Sequence, residues 1–171
     1  DVPNTALCLH GLTRNARDFD YLAETLSASH RVISVDMPGR GKSAWLQDKS
    51  QYTYATYLHD VLTLITTLNL SSLHWIGTSM GGILGMMLAA MQPELIQRMV
   101  INDIGALVTK EGLQRIIEYT GKTGPFVTPD AAEDSLRERL SSFGITQETH
   151  WDYLFKHSIV QREDDSWHLA Y

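Results

Sequence analysis

Hydrophobic residues in the first 105 positions fall into short continuous runs, separated by longer segments of mixed character. Short runs that are rich in β-branched and other apolar residues and end at turn residues are typical of strands buried on both faces. Four runs of this kind occur, at 5–10, 31–36, 73–76 and 99–103.

The segments between these runs carry apolar residues at intervals of three and four, which predicts amphipathic helices. Asp18 is expected to cap the first helix, and Thr53 the second, which Asn69 would close. A third helix follows Ser79, is apolar on every face as a buried helix would be, and stops at Pro93. The inward positions of the first two helices are Phe19, Leu22, Ala23 and Leu26, then Tyr54, Tyr57, Leu58, Val61, Leu62, Ile65 and Leu68.

Alternating strands and helices predict an α/β fold, with a mostly parallel sheet and helices on both of its faces. Ligand sites in such sheets lie at the carboxyl ends of the strands. Here those ends carry His10, Asp36, Ser79 and Asp103. The candidate chemistry therefore gathers on one edge of the predicted sheet.

The pattern changes after Gly105, where helical periodicity replaces the apolar runs. Residues 106–171 are predicted to form a helical cap or lid over the carboxyl edge of a core formed by residues 1–105. The alternative is that these helices pack on the flank of the sheet. The predicted segments are 111–119 with Leu113, Ile116 and Ile117 as its apolar stripe, 130–143 with Leu136 and Leu140 inward, 147–157 with Trp151, Tyr153 and Phe155, and a strand-like end at 166–171.

Composition places the chain among ordinary globular proteins and removes some partners. Of 171 residues, 43% are hydrophobic and 20% are charged. The net charge of −6 argues against a nucleic-acid or anionic-membrane surface. The single cysteine, Cys8, excludes a disulfide framework within the chain. No apolar run has the length of a membrane span. We expect a cytoplasmic protein that binds a small-molecule substrate, and the oligomeric state stays open.

The segment Gly77-Thr78-Ser79-Met80-Gly81 has the form Gly-x-Ser-x-Gly between a predicted strand and a predicted helix. This strand–turn–helix context is the one in which the motif indicates a nucleophile elbow. Glycines on both sides allow close packing around a strained serine. The alternative is a serine that merely occupies a tight glycine turn.

Two further segments extend the pattern. His10-Gly11 follows the first strand, and Asp36-Met37-Pro38-Gly39-Arg40-Gly41-Lys42-Ser43 follows the second. Together with the elbow, they resemble three motifs of the α/β-hydrolase family in the family's order, over residues 5–105. The resemblance implies an esterase, a lactonase, a carbon–carbon-bond hydrolase or an acyltransferase. No Cys or His cluster has metal-ligand spacing, and we expect no metal and no cofactor.

The resemblance also implies roles for individual residues. Ser79 would be the nucleophile, and the backbone N–H groups of Met80 and Leu12 would form the oxyanion hole. His10 and Gly11 would shape the oxyanion loop and touch the pocket. We therefore predict a hydrolase of small esters or related carbonyl compounds that forms an acyl-enzyme on Ser79. A non-catalytic module that binds a small ligand is the alternative from another class.

The triad partners are the main departure from the family pattern, whose chain order is Ser, then Asp or Glu, then His. We expect the acid and the base beyond Tyr171, with the last strands of the domain and the hairpin before the first strand also outside the chain. The isolated chain is then expected to be inactive and poorly stable, because the sheet would expose an unpaired apolar edge.

Other titratable residues have simpler interpretations. Asp103 is a possible alternative acid, although a carboxylate bonded to the N–H groups of its own loop is the favoured interpretation. Asp36 is expected to organise its loop. Three histidines follow Ser79 and are expected to lie on the cap or the surface rather than to act as the base: His150, His157 and His168.

Overall fold

A computed structural model of the chain describes residues 4–120 and 124–170, except for the side chains of Arg115 and Tyr119. The chain divides into two compact units, the first ending at Leu107 and the second beginning at Val108. Whether the second unit acts as a cap stays a prediction.

The first unit contains a four-stranded parallel sheet, which confirms the predicted fold class. Its strands are β1 (Asn4–Leu9), β2 (His30–Val35), β3 (Leu73–Thr78) and β4 (Ile96–Asn102). The strand order is β2-β1-β3-β4, and every neighbouring pair is parallel. The two central strands are the most deeply buried. β4 lies at one edge of the described sheet, and Val100 on it is 56% exposed.

Three α-helices connect these strands: α1 (Asp20–Leu26), α2 (Tyr54–Thr67) and α3 (Met80–Met91). The predicted ends of α2 are confirmed. The side chain of Thr53 accepts a hydrogen bond from the Thr56 N–H (3.2 Å), and Asn69 takes a left-handed φ of 53°. The buried residues on its inner face are Tyr57, Leu58, Val61 and Ile65. The prediction that Tyr54 lies inward is wrong, since Tyr54 is 41% exposed.

The core of this unit forms where α2 and α3 pack on β1 and β3. Leu7, Trp75, Leu84 and Leu88 are completely buried within it. Burial of such side chains stabilises a fold by about 1.5–3 kcal/mol each. The carboxyl ends of the strands, where the candidate residues lie, are thus built on the best-packed part of the unit.

Three further predictions about these helices are wrong. Asp18 does not cap α1. It lies in a 3₁₀-helix, Ala16–Phe19, which Asn15 caps, and its carboxylate accepts hydrogen bonds from Arg14 instead. The short α1 also leaves Leu22 39% exposed. α3 is not buried on every face, since Met87 and Met91 are 36% and 58% exposed.

The second unit has helices α4 (Lys110–Thr120), α5 (Pro129–Leu140) and α6 (Glu148–Ser158), with a 3₁₀-helix at Ser141–Phe143. It also holds an antiparallel pair, β5 (Ile159–Gln161) and β6 (Trp167–Leu169), of which only the second strand was expected. Its core contains the predicted Leu136, Leu140, Trp151 and Phe155, together with Leu169. The apolar stripe of α4 is largely exposed, with Ile117 at 72%. Part of the predicted loop 121–129 lies outside the described residues.

None of the helices in the described part of the chain is both long enough and apolar enough to cross a lipid bilayer.

The contrast between Leu84 and Leu22 can be measured. Leu84→Ala should lower the free energy of unfolding by about 2–5 kcal/mol, because it leaves a cavity in the packed core. Leu22→Ala makes the same chemical change on a partly exposed helix face, so its cost should stay below about 1 kcal/mol. Urea unfolding followed by circular dichroism measures both. Equal costs would contradict the burial pattern of α1 and α3.

Candidate active site

Ser79 occupies a strained turn between β3 and α3. Its φ of 48° and ψ of −109° are unusual for a residue with a side chain. The Ser79 N–H donates to the carbonyl of Asn102 (2.8 Å), and the Ser79 carbonyl accepts from the N–H of Ile83 (3.0 Å). Such strain persists only where the surrounding structure holds it. The turn is therefore held from β4 on one side and from α3 on the other.

Two glycines make this turn possible. A Cβ on Gly77 would overlap the backbone of Gly81, and a Cβ on Gly81 would overlap the carbonyl of Leu9. The indole Nε1–H of Trp75 also donates to the carbonyl of Gly81 (2.9 Å). The start of α3 is thereby fixed against the last residue of β1.

Ser79 is the N-cap residue of α3, but its side chain forms no capping hydrogen bond to the described helix. The first N–H groups of an α-helix have no partner within the helix. Together with the helix dipole they create a positive potential at its N-terminus. The start of α3 therefore presents N–H groups, including that of Met80, beside the Ser79 turn.

The β1 loop, residues 10–15, lies next to this turn. A Cβ built on Gly11 would be 3.7 Å from the Cβ of Ser79 and 3.9 Å from the carbonyl oxygen of Thr78. The structure thus brings Ser79, Met80, Gly11 and Leu12 into one region of the first unit.

The peptide group that joins Gly11 to Leu12 is held in a defined orientation. Its carbonyl oxygen, that of Gly11, accepts hydrogen bonds from the Nδ1–H of His10 (2.7 Å) and the N–H of Arg14 (3.2 Å). Its N–H is that of Leu12, and among the described hydrogen bonds none uses this N–H. Because a peptide group is planar, fixing the carbonyl also fixes the N–H.

His10 is completely buried, and both of its ring nitrogens are occupied. Nε2 accepts the N–H of Met37 (3.0 Å), so the proton of the neutral ring lies on Nδ1 and is donated to Gly11. Burial lowers the pKa of His10, and the charge of Arg40 adds to this effect. The hydrogen bond to the carbonyl of Gly11 and the charges of Asp18 and Asp36 only partly oppose the shift. His10 therefore acts here as a neutral link between two loops rather than as a base.

Asp36 makes a second link between the β1 loop and the β2 loop, residues 36–43. One carboxylate oxygen accepts the N–H of Ala16 (2.7 Å), and the other accepts the N–H of Lys42 (3.0 Å). Gly41 approaches so closely that a Cβ there would overlap this carboxylate. Asp36 thus occupies the position of a loop organiser.

Asp103 follows β4 in a left-handed turn with φ 57°. The favoured interpretation, a carboxylate bonded to the N–H groups of its own loop, is wrong. Within the described residues no hydrogen bond reaches this carboxylate. The residue is exposed, so solvent can hydrate the charge instead. The sequence predicted the position of Asp103 at a strand end but not its exposure.

The three later histidines all lie in the second unit. His150 is in the first turn of α6, and the ring of His157, near the end of α6, is 4.6 Å from that of Tyr153. In β6, Nε2 of His168 is 2.9 Å from Oγ of Ser166, which also donates to Asp164 (2.5 Å). In this cluster the carboxylate holds the serine, whereas in a catalytic triad it orients the histidine.

Cys8 offers no competing nucleophile. It lies buried within β1, and burial raises the pKa of its thiol to about 11, so the thiol stays protonated at neutral pH. Among the described residues, no three His, Cys, Asp or Glu side chains are grouped as metal ligands.

Sequence reasoning missed Arg40, which is buried in the β2 loop and bonded to the carbonyl of Leu12 (3.1 Å). The one available signal was an arginine between two glycines at the carboxyl end of a strand.

Comparison with known proteins identifies similar chains. A family model described as alpha/beta hydrolase fold matches residues 5–143. The 3-hydroxybutyrate-oligomer hydrolase of Cupriavidus necator is 38% identical over 149 residues, which are 87% of this chain and 51% of that protein. This chain therefore spans about half the length of that curated relative.

Two solved structures are also similar. A crystal structure of a Rickettsia typhi protein has a TM-score of 0.94 and 39% sequence identity, over 98% of this chain and 59% of that chain. An alpha/beta hydrolase from Novosphingobium aromaticivorans has a TM-score of 0.90 and 37% identity, over 100% of this chain and 61% of that chain. The matched family is the one whose motifs this sequence resembles.

The contacts around Gly81 and Gly11 predict that one added methyl group lowers stability much more at the first position than at the second. Gly81→Ala should destabilise the protein by about 1–3 kcal/mol or more, since its Cβ would meet the backbone of Leu9. Gly11→Ala should change stability by less than about 1 kcal/mol, because its Cβ would make only ordinary contacts. Thermal unfolding of both variants tests this, and a larger loss for Gly11→Ala would contradict the geometry.

The lowered pKa of His10 predicts a loss of stability in mild acid. The unfolded chain takes up a proton on this histidine near pH 6.5, whereas the buried ring resists it. The contribution of neutral His10 to the free energy of unfolding is therefore fully present above pH 6.5. It decreases as the pH falls below 6.5, by at most about 1.4 kcal/mol per pH unit.

Urea unfolding between pH 7.5 and 5 measures this slope, with His10→Gln as the control that cannot titrate. The pKa of His74 is also lowered, mainly by desolvation, so the difference between wild type and the variant isolates His10. Parallel profiles for the two proteins would refute the assignment.

Proposed function

This chain belongs to the alpha/beta hydrolase fold family, and from that premise we propose that it forms the nucleophile-bearing part of a serine hydrolase. The Oγ of Ser79 attacks the carbonyl carbon of a small ester, its proton passes to a general base, and the alcohol leaves. Water then attacks the acyl-enzyme, releases the acid and restores Ser79.

The strained backbone of Ser79 is the observation that carries this proposal. A left-handed φ costs a residue with a side chain about 1–3 kcal/mol, and glycine would relieve it. A serine with only a structural role gains nothing from that cost, since its side chain does not cap α3. Strain of this kind is typical of functional sites, where it presents a reactive side chain.

The oxyanion hole is proposed to consist of two backbone N–H groups, those of Leu12 and Met80. Both flank Ser79, one through the neighbouring Gly11 and the other at the start of α3. Two donors aimed at one point stabilise the oxyanion of the tetrahedral intermediate, and removing one such donor typically costs on the order of 10²–10³ in rate.

The general base and its acid are proposed to follow Tyr171 in the full-length protein, in the family's order. Two nearby groups are already engaged. Both ring nitrogens of His10 bond to backbone groups, and both carboxylate oxygens of Asp36 accept backbone N–H groups. Asp103 stays a candidate for an alternative acid, because its carboxylate is exposed at the strand end next to Ser79.

Small aliphatic esters are the proposed substrate class. The name of the Cupriavidus relative states that it hydrolyses oligomers of 3-hydroxybutyrate, which are esters of a short hydroxy acid. An acyltransferase would use the same acyl-enzyme with another acceptor. Hydrolysis of a carbon–carbon bond, or binding of a small ligand without turnover, would also be compatible with this fold.

Labelling with a fluorophosphonate probe tests the nucleophile in the full-length protein. Wild type should be labelled and should release p-nitrophenol from p-nitrophenyl butyrate. Ser79→Ala should lose labelling and lower kcat by on the order of 10³ or more.

Ser166→Ala is the matched control, because Ser166 lies beside a histidine and a carboxylate yet is not the proposed nucleophile. It should be labelled like wild type. Equal labelling of Ser79→Ala and wild type would refute the proposal. Labelling without any release of product acid would instead favour an acyltransferase or a ligand-binding module.

A further inference from the structure

The guanidinium of Arg40 is buried where the β2 loop meets the β1 loop, with the residue only 9% exposed. Its Nε–H donates to the carbonyl of Leu12 (3.1 Å). A second nitrogen, Nη1, donates to the carbonyl of Pro38 (2.7 Å) and to the hydroxyl of Tyr57 (2.7 Å). The side chain thus joins three separate points of the first unit.

This charge is held without a carboxylate partner among the described residues, since the ion pairs there involve other side chains. Instead, the guanidinium carbon lies 5.6 Å from the ring centre of Tyr52 and 5.5 Å from that of Tyr57. Burying an unpaired charge is costly, and an apolar residue would fill the space at lower cost. The arrangement therefore favours a role beyond packing.

The bond to Leu12 completes the restraint on one particular N–H group. Two peptide groups meet at the Cα of Leu12. The first, which carries the Leu12 N–H, is held through the carbonyl of Gly11 by His10 and by the N–H of Arg14. The second carries the Leu12 carbonyl and is held by Arg40. With both groups held, neither backbone dihedral of Leu12 can rotate freely.

We propose that Arg40 is a positioning residue for the oxyanion hole. Its bond to the carbonyl of Leu12 keeps the N–H of the same residue directed at the oxyanion that forms on the carbonyl attacked by Ser79. This inference rests on the proposed function. It adds that the β2 loop supports the transition state, although Arg40 need not touch the substrate.

Arg40→Met in the full-length protein tests the proposal, because methionine keeps an unbranched stem between the two tyrosine rings and removes every donor. We expect kcat for p-nitrophenyl butyrate to fall by about 10- to 100-fold, since small misplacements of catalytic groups have effects of this size. KM should stay within about threefold of the wild-type value.

The matched control is Tyr57→Phe, which removes another partner of the same guanidinium and leaves the bond to Leu12. The fall in kcat of Tyr57→Phe should be at least about tenfold smaller than that of Arg40→Met.

Inhibitor binding separates positioning from general loosening. An alkyl trifluoromethyl ketone forms a bond to the serine Oγ, and its carbonyl oxygen becomes an oxyanion in the hole. Its affinity for Arg40→Met should fall by the same factor as kcat/KM, measured on protein shown to be folded by circular dichroism. If Arg40→Met does not fold, Arg40→Lys, which keeps the charge but not the planar fork, replaces it with the same expected direction.

Wild-type kcat and inhibitor affinity in a folded Arg40 variant would overturn the proposal. A rise in KM at unchanged kcat would also overturn it, because that result indicates substrate binding rather than transition-state positioning. If Ser79→Ala keeps its activity, the proposed function fails. If Ser79→Ala is inactive and the Arg40 variants behave like wild type, only the role of Arg40 fails.

Discussion

The close approach of α3 to β1 is the constraint on which the candidate site depends. At Gly81 the helix lies so near the carbonyl of Leu9 that no side chain fits between them. Ser79 immediately precedes this helix, and its left-handed turn lies next to this contact. The Ser79 turn also lies beside Gly11, and the first N–H groups of α3, which have no partners within the helix, begin at the same turn. The packed core under α3 supplies the stability that this strain requires.

The second organising feature is the set of side chains that join the β1 loop to the β2 loop. His10 bonds to Met37, Asp36 bonds to Ala16, and Arg40 bonds to the carbonyl of Leu12. Each bond restrains one loop against the other, so the two loops are expected to behave as one body. When the donors of a site are already oriented, their reorganisation adds nothing to the activation barrier. This preorganisation is the physical basis of oxyanion stabilisation.

Much of the first unit could be predicted from the sequence, because its signals are local. Short apolar runs predicted the four strands, and Thr53 and Asn69 predicted the ends of α2. The predictions failed where a competing partner decided the outcome. Aspartate is a common helix-capping residue, but the carboxylate of Asp18 accepts hydrogen bonds from Arg14 instead. Periodicity alone also predicted burial of Leu22, whereas burial depends on what packs against the short α1. The apolar sequence of α3 predicted burial on every face. A helix that packs on a parallel sheet buries only the side that faces the sheet, so the opposite side of α3 is exposed.

The sequence by itself determined the strand–turn–helix around Ser79, because glycines at 77 and 81 and a serine between them are a local steric requirement. It also determined which candidate residues lie at the carboxyl ends of the successive strands. Only the tertiary structure decided what those residues contact. His10 meets Met37 across 27 positions, and Arg40 meets Leu12 across 28. Hydrogen bonds between such distant residues leave no periodic pattern in the chain, since the parallel pairing of β1 with β2 is what brings the two loops together.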